Sequence, residues 1–465
     1  MDDRKKNVSR RGLLKAAGTG LAGAAAVYGL NKLGLLPGTS SPVPEPPADG
    51  MTYRTHPQSG DRVSLLGFGC MRLPVRPEAT SPRGPEVDEA ATFALVDYAL
   101  DHGVNYFDTA WGYHGGMSET VIGKALKRHP RERFHLSTKM PTYLDPDLAM
   151  AKDIFARQLE KCQVEYFDYY LLHTLTSKQE YQRVYEERGI LDFLLEQREK
   201  GRIRHLGWSF HGDKETLEYV LSRDVRWDFA LVQLNYHDLL YKHIPSVVQR
   251  RRVKEPAPAR WMFDRMQESG LPLMVMEPLL GGRLARLNKK ALTILQAADP
   301  QASAASWAFR YVAGLPNVMT VLSGMTYMEH LQDNLRTFAP LRPCSDRELA
   351  VLEEALAAFA TADNIQCTTC GYCMPCPYGV DIPTVFLNHN HCLDDEQVPR
   401  GERDADYDRA RRAYLVNLAR RVPDLRDAAH CTGCGKCVKL CPQFIDIPGE
   451  MARLGKFAED LRIKG

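Results

Sequence analysis

The feature that most constrains this chain is a repeated exchange of pattern between Met51 and about Arg342. Short apolar runs suited to strands alternate there with stretches of helical periodicity. The runs are Val63 to Phe68, Tyr106-Phe107, His135-Leu136-Ser137 and Tyr169-Tyr170-Leu171-Leu172. They continue with His205-Leu206-Gly207-Trp208, Leu231-Val232-Gln233-Leu234, Leu273-Met274-Val275-Met276 and Val318-Met319-Thr320-Val321-Leu322. Amphipathic stretches such as Glu89 to His102, Asp147 to Cys162 and Lys214 to Leu221 lie between them. Strands that alternate with helices imply a parallel sheet with crossover helices. Eight of them in this length fit a closed (β/α)8 barrel. A doubly wound open sheet is the alternative. It needs a glycine-rich turn after its first strand, and Gly67-Phe68-Gly69-Cys70 lacks the third glycine and the following helix.

Polar residues fall where such strands end. Asp108 ends the second, with Tyr113 in the loop beyond; Lys139 ends the third and His173 the fourth. Alone, each has a plain structural role, as a cap, a turn or a packed histidine. On consecutive barrel strands all four converge on the C-terminal mouth, where barrel active sites sit. Together they suit carbonyl reduction. The phenol of Tyr113 protonates a developing alkoxide, and a tyrosine that titrates near 10 needs a cation beside it to do so near neutrality. Lys139 supplies that cation, Asp108 orients Lys139, and His173 positions the carbonyl oxygen.

With those residues in place, Asp108-Thr-Ala-Trp-Gly-Tyr113, Lys139 and His173 resemble the catalytic tetrad of the aldo/keto reductases, nicotinamide-dependent enzymes on a (β/α)8 barrel. The resemblance covers most of Met51 to Phe338. It implies that Ser209 and Gln233 hold the nicotinamide carboxamide. It also implies that Glu277, Pro278, Leu279 and Gly282, with Gly324, Met325 and Asn334, hold the pyrophosphate and adenosine. Some positions depart from the family pattern. Phe210 stands where an asparagine follows the carboxamide serine, and Met276 where an aromatic stacks on the nicotinamide. Gly324 and His330 stand where a lysine and an arginine bind a 2′-phosphate. The choice between NADP and NAD stays open, and weakened affinity for either is expected.

The composition changes after a helix-like stretch, Asp346 to Ala362. Eight cysteines follow in two runs, Cys367, Cys370, Cys373 and Cys376 before Pro377, then Cys431, Cys434, Cys437 and Cys441 before Pro442. Three thiolates on one turn plus a distant fourth wrap a [4Fe–4S] cluster. The expected sets are Cys367, Cys370, Cys373 with Cys441, and Cys431, Cys434, Cys437 with Cys376. Zinc sites favour separated cysteine pairs, and disulfides suit cysteines three apart poorly. Cys70, Cys162 and Cys344 read as packing residues. His389-Asn-His391-Cys392 reads as an insert loop, with metal binding the alternative, and Gln249 to Lys254 as a solvated loop. The expected fold is α/β, a TIM barrel over 51–342 followed by a ferredoxin-like two-cluster domain over 343–465. Aldo/keto reductases that carry such a domain form a subgroup which Met51 to about Pro448 resembles.

Residues 1–36 join a basic start, Ser9-Arg10-Arg11 and an apolar Gly/Ala/Leu stretch to Leu36. That order describes a secretory signal, and the paired arginines resemble the twin-arginine export signal. Asn31 and Lys32 interrupt the apolar run, so no stable membrane span is expected. A proline-rich linker over 37–50 follows. The net charge of +2 suggests no nucleic acid partner. The expectation is an exported oxidoreductase with a small carbonyl or alcohol substrate, coupled through its clusters to an electron-transfer protein. An electron-transfer protein with a non-catalytic barrel is the alternative, and a cytoplasmic reductase with structural clusters a further one.

Overall fold

The computed structural model describes residues 46, 49–81, 84–240, 256–359 and 364–463, the side chains of 77–84 excepted. The signal at 1–36, most of the linker and the Gln249 to Lys254 segment lie outside the described residues. Pro47–Gly465 forms one compact unit.

Eight parallel strands close a barrel. They are β1 (Leu66–Gly69), β2 (Tyr106–Asp108), β3 (His135–Met140), β4 (Phe167–Leu175), β5 (Ile203–Phe210), β6 (Phe229–Gln233), β7 (Leu273–Met276) and β8 (Val318–Ser323). Each pairs with its sequence neighbours, and β8 returns to β1 through Val321 opposite Leu66. The run from Val63 to Phe68, expected as one strand, is two. Arg62–Ser64 pairs antiparallel with Tyr53–Thr55. Ser64 Oγ then donates to Leu66 O at 2.7 Å and turns the chain at Leu65 into the barrel.

Side chains in a strand alternate between faces. The barrel interior takes Tyr106, Tyr169, Leu171, Phe229, Leu231 and Met274, with Val63 beside them. Two residues further along the same faces lie Asp108 after Tyr106, His173 after Leu171, and Gln233 after Leu231. The polar mouth is thus the next layer of a packed core. The other face of each strand meets the helices in one large cluster containing Phe107, Tyr170, Trp208 and Trp307. Aspartates after the strands cap the helices as their chemistry favours. Asp147 accepts from Met150 N at 2.8 Å and Asp213 from Thr216 N at 2.9 Å.

The C-terminal module is helical around its cysteine loops: Ile382–Asp394, Tyr407–Arg421 and Ile447–Ile463. Val385, Phe386, Tyr414, Ile447 and Met451 form its core, against which Cys367, Cys373, Cys376, Cys431, Cys437 and Cys441 pack. His389-Asn390-His391-Cys392 is not a loop. It sits within helix Ile382–Asp394, where His391 Nδ1 meets Arg421 at 2.6 Å and Cys392 is buried. Asp381 at the N-cap and Pro383 in the first turn start that helix ahead of the motif. Asp346–Phe359 is helical as expected.

At the opposite end of the barrel from the mouth, Asp168 is 1% exposed and accepts from Arg131 Nη2 at 2.5 Å, Leu136 N at 2.9 Å and Arg204 Nη1 at 3.2 Å. Burial alone raises this carboxyl, but His135, Arg131 and the Leu136 amide outweigh it and hold the group below its ordinary value. Its stabilisation is therefore full above the unfolded carboxyl's value near 3.8 and is lost as pH falls through the lower folded value. Removing one partner of a buried pair costs about 3–5 kcal/mol. Asp168→Ala is expected to lower stability by that amount in denaturant titrations at pH 7, with the gap to wild type closing in acid.

Candidate active site

Lys139 lies at the centre of the mouth, 1% exposed. Its Nζ donates to Asp108 Oδ1 at 2.7 Å and to Thr109 O at 2.6 Å. It stands 5.0 Å from the Tyr113 ring centre. Tyr113 meets His173 edge-on at 6.4 Å, and Tyr143 flanks the same imidazole at 5.8 Å. The four tetrad residues are therefore brought together.

Their electrostatics follow from dryness. Burial raises Asp108, and the Lys139 ammonium opposes it. Burial, then Lys139 and His211, push His173 well below its ordinary value, so the imidazole is neutral at pH 7. Tyr113 is raised well above 10 by burial, by Tyr372 and by Asp108. The expected lowering of this phenol by Lys139 is not found. The lysine's charge is engaged by Asp108 at contact distance, and the site excludes the water that would solvate a phenolate. Tyr113 is a phenol that keeps its proton.

Tyr372 escaped the sequence reading. It sits between Cys370 and Cys373, yet its hydroxyl lies 3.0 Å from His173 Nε2 and also hydrogen-bonds Tyr113. Nothing in its local pattern marks it, because its partner His173 is 199 residues away. The cluster module thus reaches into the barrel mouth.

The residues expected at a nucleotide are placed in the same region, and most already have protein partners. Ser209 Oγ accepts from Thr174 N at 2.7 Å, and Ser209 is 1% exposed. Gln233 donates to Asp238 at 2.9 Å and accepts from Gln443 Nε2 of the module at 2.8 Å. Glu277 accepts from Gly281 N at 2.6 Å. Burial raises its carboxyl, while Arg72, Gly281 and Thr368 lower it. Pro278 and Leu279 lead from there to Gly282, whose φ is +92°. A side chain on Gly281 would meet Thr368 Cα at 2.6 Å, and one on Gly324 would meet Arg72 Cγ at 2.6 Å. Arg72 itself donates to Thr368 O and Thr369 Oγ1, both at 2.9 Å. Met325 is 1% exposed, and Asn334 donates to Ser323 Oγ at 2.9 Å. Phe210 packs on Trp208, and Met276 borders the barrel interior.

Four thiols, Cys367, Cys370, Cys373 and Cys441, line one cavity with Ile382, Phe386, Ile445 and Ile447. Cys431, Cys434 and Cys376 surround Cys437 closely enough to influence its thiol, and Cys437 in turn influences Cys373. Among the described residues no three His, Cys, Asp or Glu converge as they would on a metal ion. Thiols spread around an apolar cavity suit a polynuclear cage instead. Cys70 and Cys162 are buried away from these sets.

Residues 65–357 match the aldo/keto reductase family, and residues 366–445 match a 4Fe-4S dicluster domain. An uncharacterised oxidoreductase of Bacillus subtilis, YqkF, is 26% identical over 310 residues, 63% of this chain and 92% of its own. The NADH-specific methylglyoxal reductase of Escherichia coli is 22% identical over 276 residues, 50% of this chain and 78% of its own. The holo form of the aldo-keto reductase AKR11C1 from Bacillus halodurans superposes with a TM-score of 0.50 at 25% identity, over 67% of this chain and 97% of its own.

The grouping of the thiols makes a separable prediction. Cys441→Ser is expected to lower bound iron from about eight to about four atoms per chain. A chemical iron assay on anaerobically purified protein checks it, and unchanged iron removes Cys441 from the ligand set.

Proposed function

We propose that this chain, which belongs to the aldo/keto reductase family and carries a 4Fe-4S dicluster domain, interconverts a carbonyl and an alcohol at the barrel mouth in exchange with a one-electron partner. The single observation that carries this reading is the contact of Tyr372, on the cysteine loop, with His173 and Tyr113 of the tetrad. The redox module and the proton chemistry share one site.

Two [4Fe–4S] clusters, when bound, supply one-electron transfer. Cys367, Cys370, Cys373 and Cys441 would hold the first; Cys431, Cys434, Cys437 and Cys376 the second. Reduction of a carbonyl takes two electrons and two protons: a one-electron carrier protein outside the chain is the electron source, Tyr113 the source of the oxygen's proton and solvent water the source of the carbon's. The chain's own residues do the rest. Tyr113 delivers a proton to the substrate oxygen. His173, neutral, holds that oxygen in place once the Tyr372 hydroxyl yields its Nε2 to the substrate. Lys139 stabilises the phenolate left behind, and Asp108 keeps the lysine in register. The relative named as a methylglyoxal reductase supports a small carbonyl substrate. The family implies a nicotinamide nucleotide; of the residues that would meet it, Gln233 is engaged by Gln443 of the module, and Ser209, Glu277 and Asn334 are engaged within the barrel.

Tyr113→Phe is expected to lower turnover of aldehydes and ketones with a reduced viologen dye by at least about 100-fold. Visible absorbance of the clusters should not change, and retained turnover would remove Tyr113 from the mechanism.

Export belongs to the same proposal. Ser9-Arg10-Arg11 ahead of an apolar stretch supports the twin-arginine route, which carries folded proteins with their cofactors in place. Among the described residues no helix is long and apolar enough to cross a membrane. Replacing Arg10 and Arg11 by lysine should strand the full chain in the cytoplasm on fractionation. An unchanged distribution would remove the arginine pair from the targeting of this chain.

A further inference from the structure

We infer that the nucleotide cleft of this barrel has a resident occupant, the chain's own loop around Thr368 and Tyr372 together with Gln443, so that a docked cluster module and a nicotinamide nucleotide exclude one another. The inference uses the family's nucleotide positions and does not depend on the redox reading above.

Three observations carry it. Two side chains lining the cleft are already paired with the module. Gln233 accepts from Gln443 at 2.8 Å, and Arg72, packed on Gly324, spends its guanidinium on Thr368 and Thr369. Beside Gly282, the glycine expected at the pyrophosphate, where a Cβ would meet no atom within 4 Å, protein backbone closes in at the preceding residue. Gly281, at φ +66°, admits Thr368 so closely that a Cβ would lie 2.6 Å from its Cα. The nicotinamide end is likewise taken, since Tyr372 stands against His173 where substrate and nicotinamide would meet.

The seam is built as an interior rather than as a loose contact. Arg283 of the barrel and Asp394 of the module approach to 4.0 Å, and each is 5% exposed. Arg286 pairs with Asp395 at 2.8 Å and Lys290 with Glu396 at 3.4 Å at its rim. Glu277, which meets Thr368, and Thr369, which meets Arg72, both hold positive φ along it. Residues without a glycine's freedom keep such conformations only where the surroundings fix them. A nucleotide therefore has to displace a well-seated element. Apparent affinity scales with the fraction of open protein, so a module docked about 99% of the time weakens binding about 100-fold.

The test is a calorimetric titration of NADPH and of NADH into the anaerobically purified, cluster-loaded full chain. Two variants loosen the seam: Arg283→Ala, beside Gly282, which strands Asp394, and Arg286→Glu with Lys290→Glu, which reverses the rim charges away from the nucleotide positions. Limited proteolysis within residues 364–382 reports whether each has undocked. The expected result is no saturable binding to the wild type and binding at least about 100-fold tighter in whichever variant undocks. Tight binding to the wild type with the loop still protease-resistant would overturn the inference. So would the absence of binding in an undocked variant, because the exclusion would then not come from the module. Either failure leaves the Tyr113-dependent turnover with a one-electron donor to stand or fall separately.

Discussion

The rest of the site depends on the seating of the cysteine loop over the barrel mouth. An open mouth would leave the Lys139–Asp108 pair facing water, where an ion pair is worth little. The loop lies over the mouth through Tyr372, against His173 and Tyr113. Under it, Lys139 is 1% and Asp108 3% exposed, and each is held by hydrogen bonds at 2.6–2.7 Å. The neutrality of His173 and the retained proton of Tyr113 follow from the same desolvation.

In the proposed reaction the loop also ties redox chemistry to proton chemistry through one side chain. Tyr372 is flanked by two cysteines of the first set and touches two tetrad residues. A change at that cysteine set and a change at the tetrad are therefore felt by the same phenol. The buried Arg283–Asp394 pair holds the arrangement from outside the mouth. Burial raises Asp394 to about 6, with Arg283 opposing. Such a pair fixes geometry more than it adds stability, and geometry is what a shared site requires.

Much of this was legible in the sequence, for identifiable reasons. Alternation of strand and helix specified the barrel, because a parallel sheet needs crossovers. The period of two placed Asp108 and His173 one layer above Tyr106 and Leu171, so strand ends named the tetrad. Cysteine spacing grouped the thiols that line one cavity. Four points escaped the sequence reading, for different physical reasons. Val63 to Phe68 divides because Asn105 and Leu66 O capture Ser64. The His389 motif is helical because its helix starts upstream, at a capped Asp381. Tyr372 shows no local signal, since its role is set by a docking surface whose partners lie far back in the chain. The pull of Lys139 on Tyr113 was expected from charge alone, without the countercharge of Asp108.

The seated loop is tested most directly by hydrogen–deuterium exchange of the cluster-loaded protein under anaerobic conditions. Amides of 366–373 are predicted to exchange as slowly as those of the barrel loop 277–283 on which they rest, and both to speed up together when the seam is broken. Exchange of 366–373 within seconds, beside protected barrel strands, would contradict the account. It would mean that the module rides on the barrel without closing it.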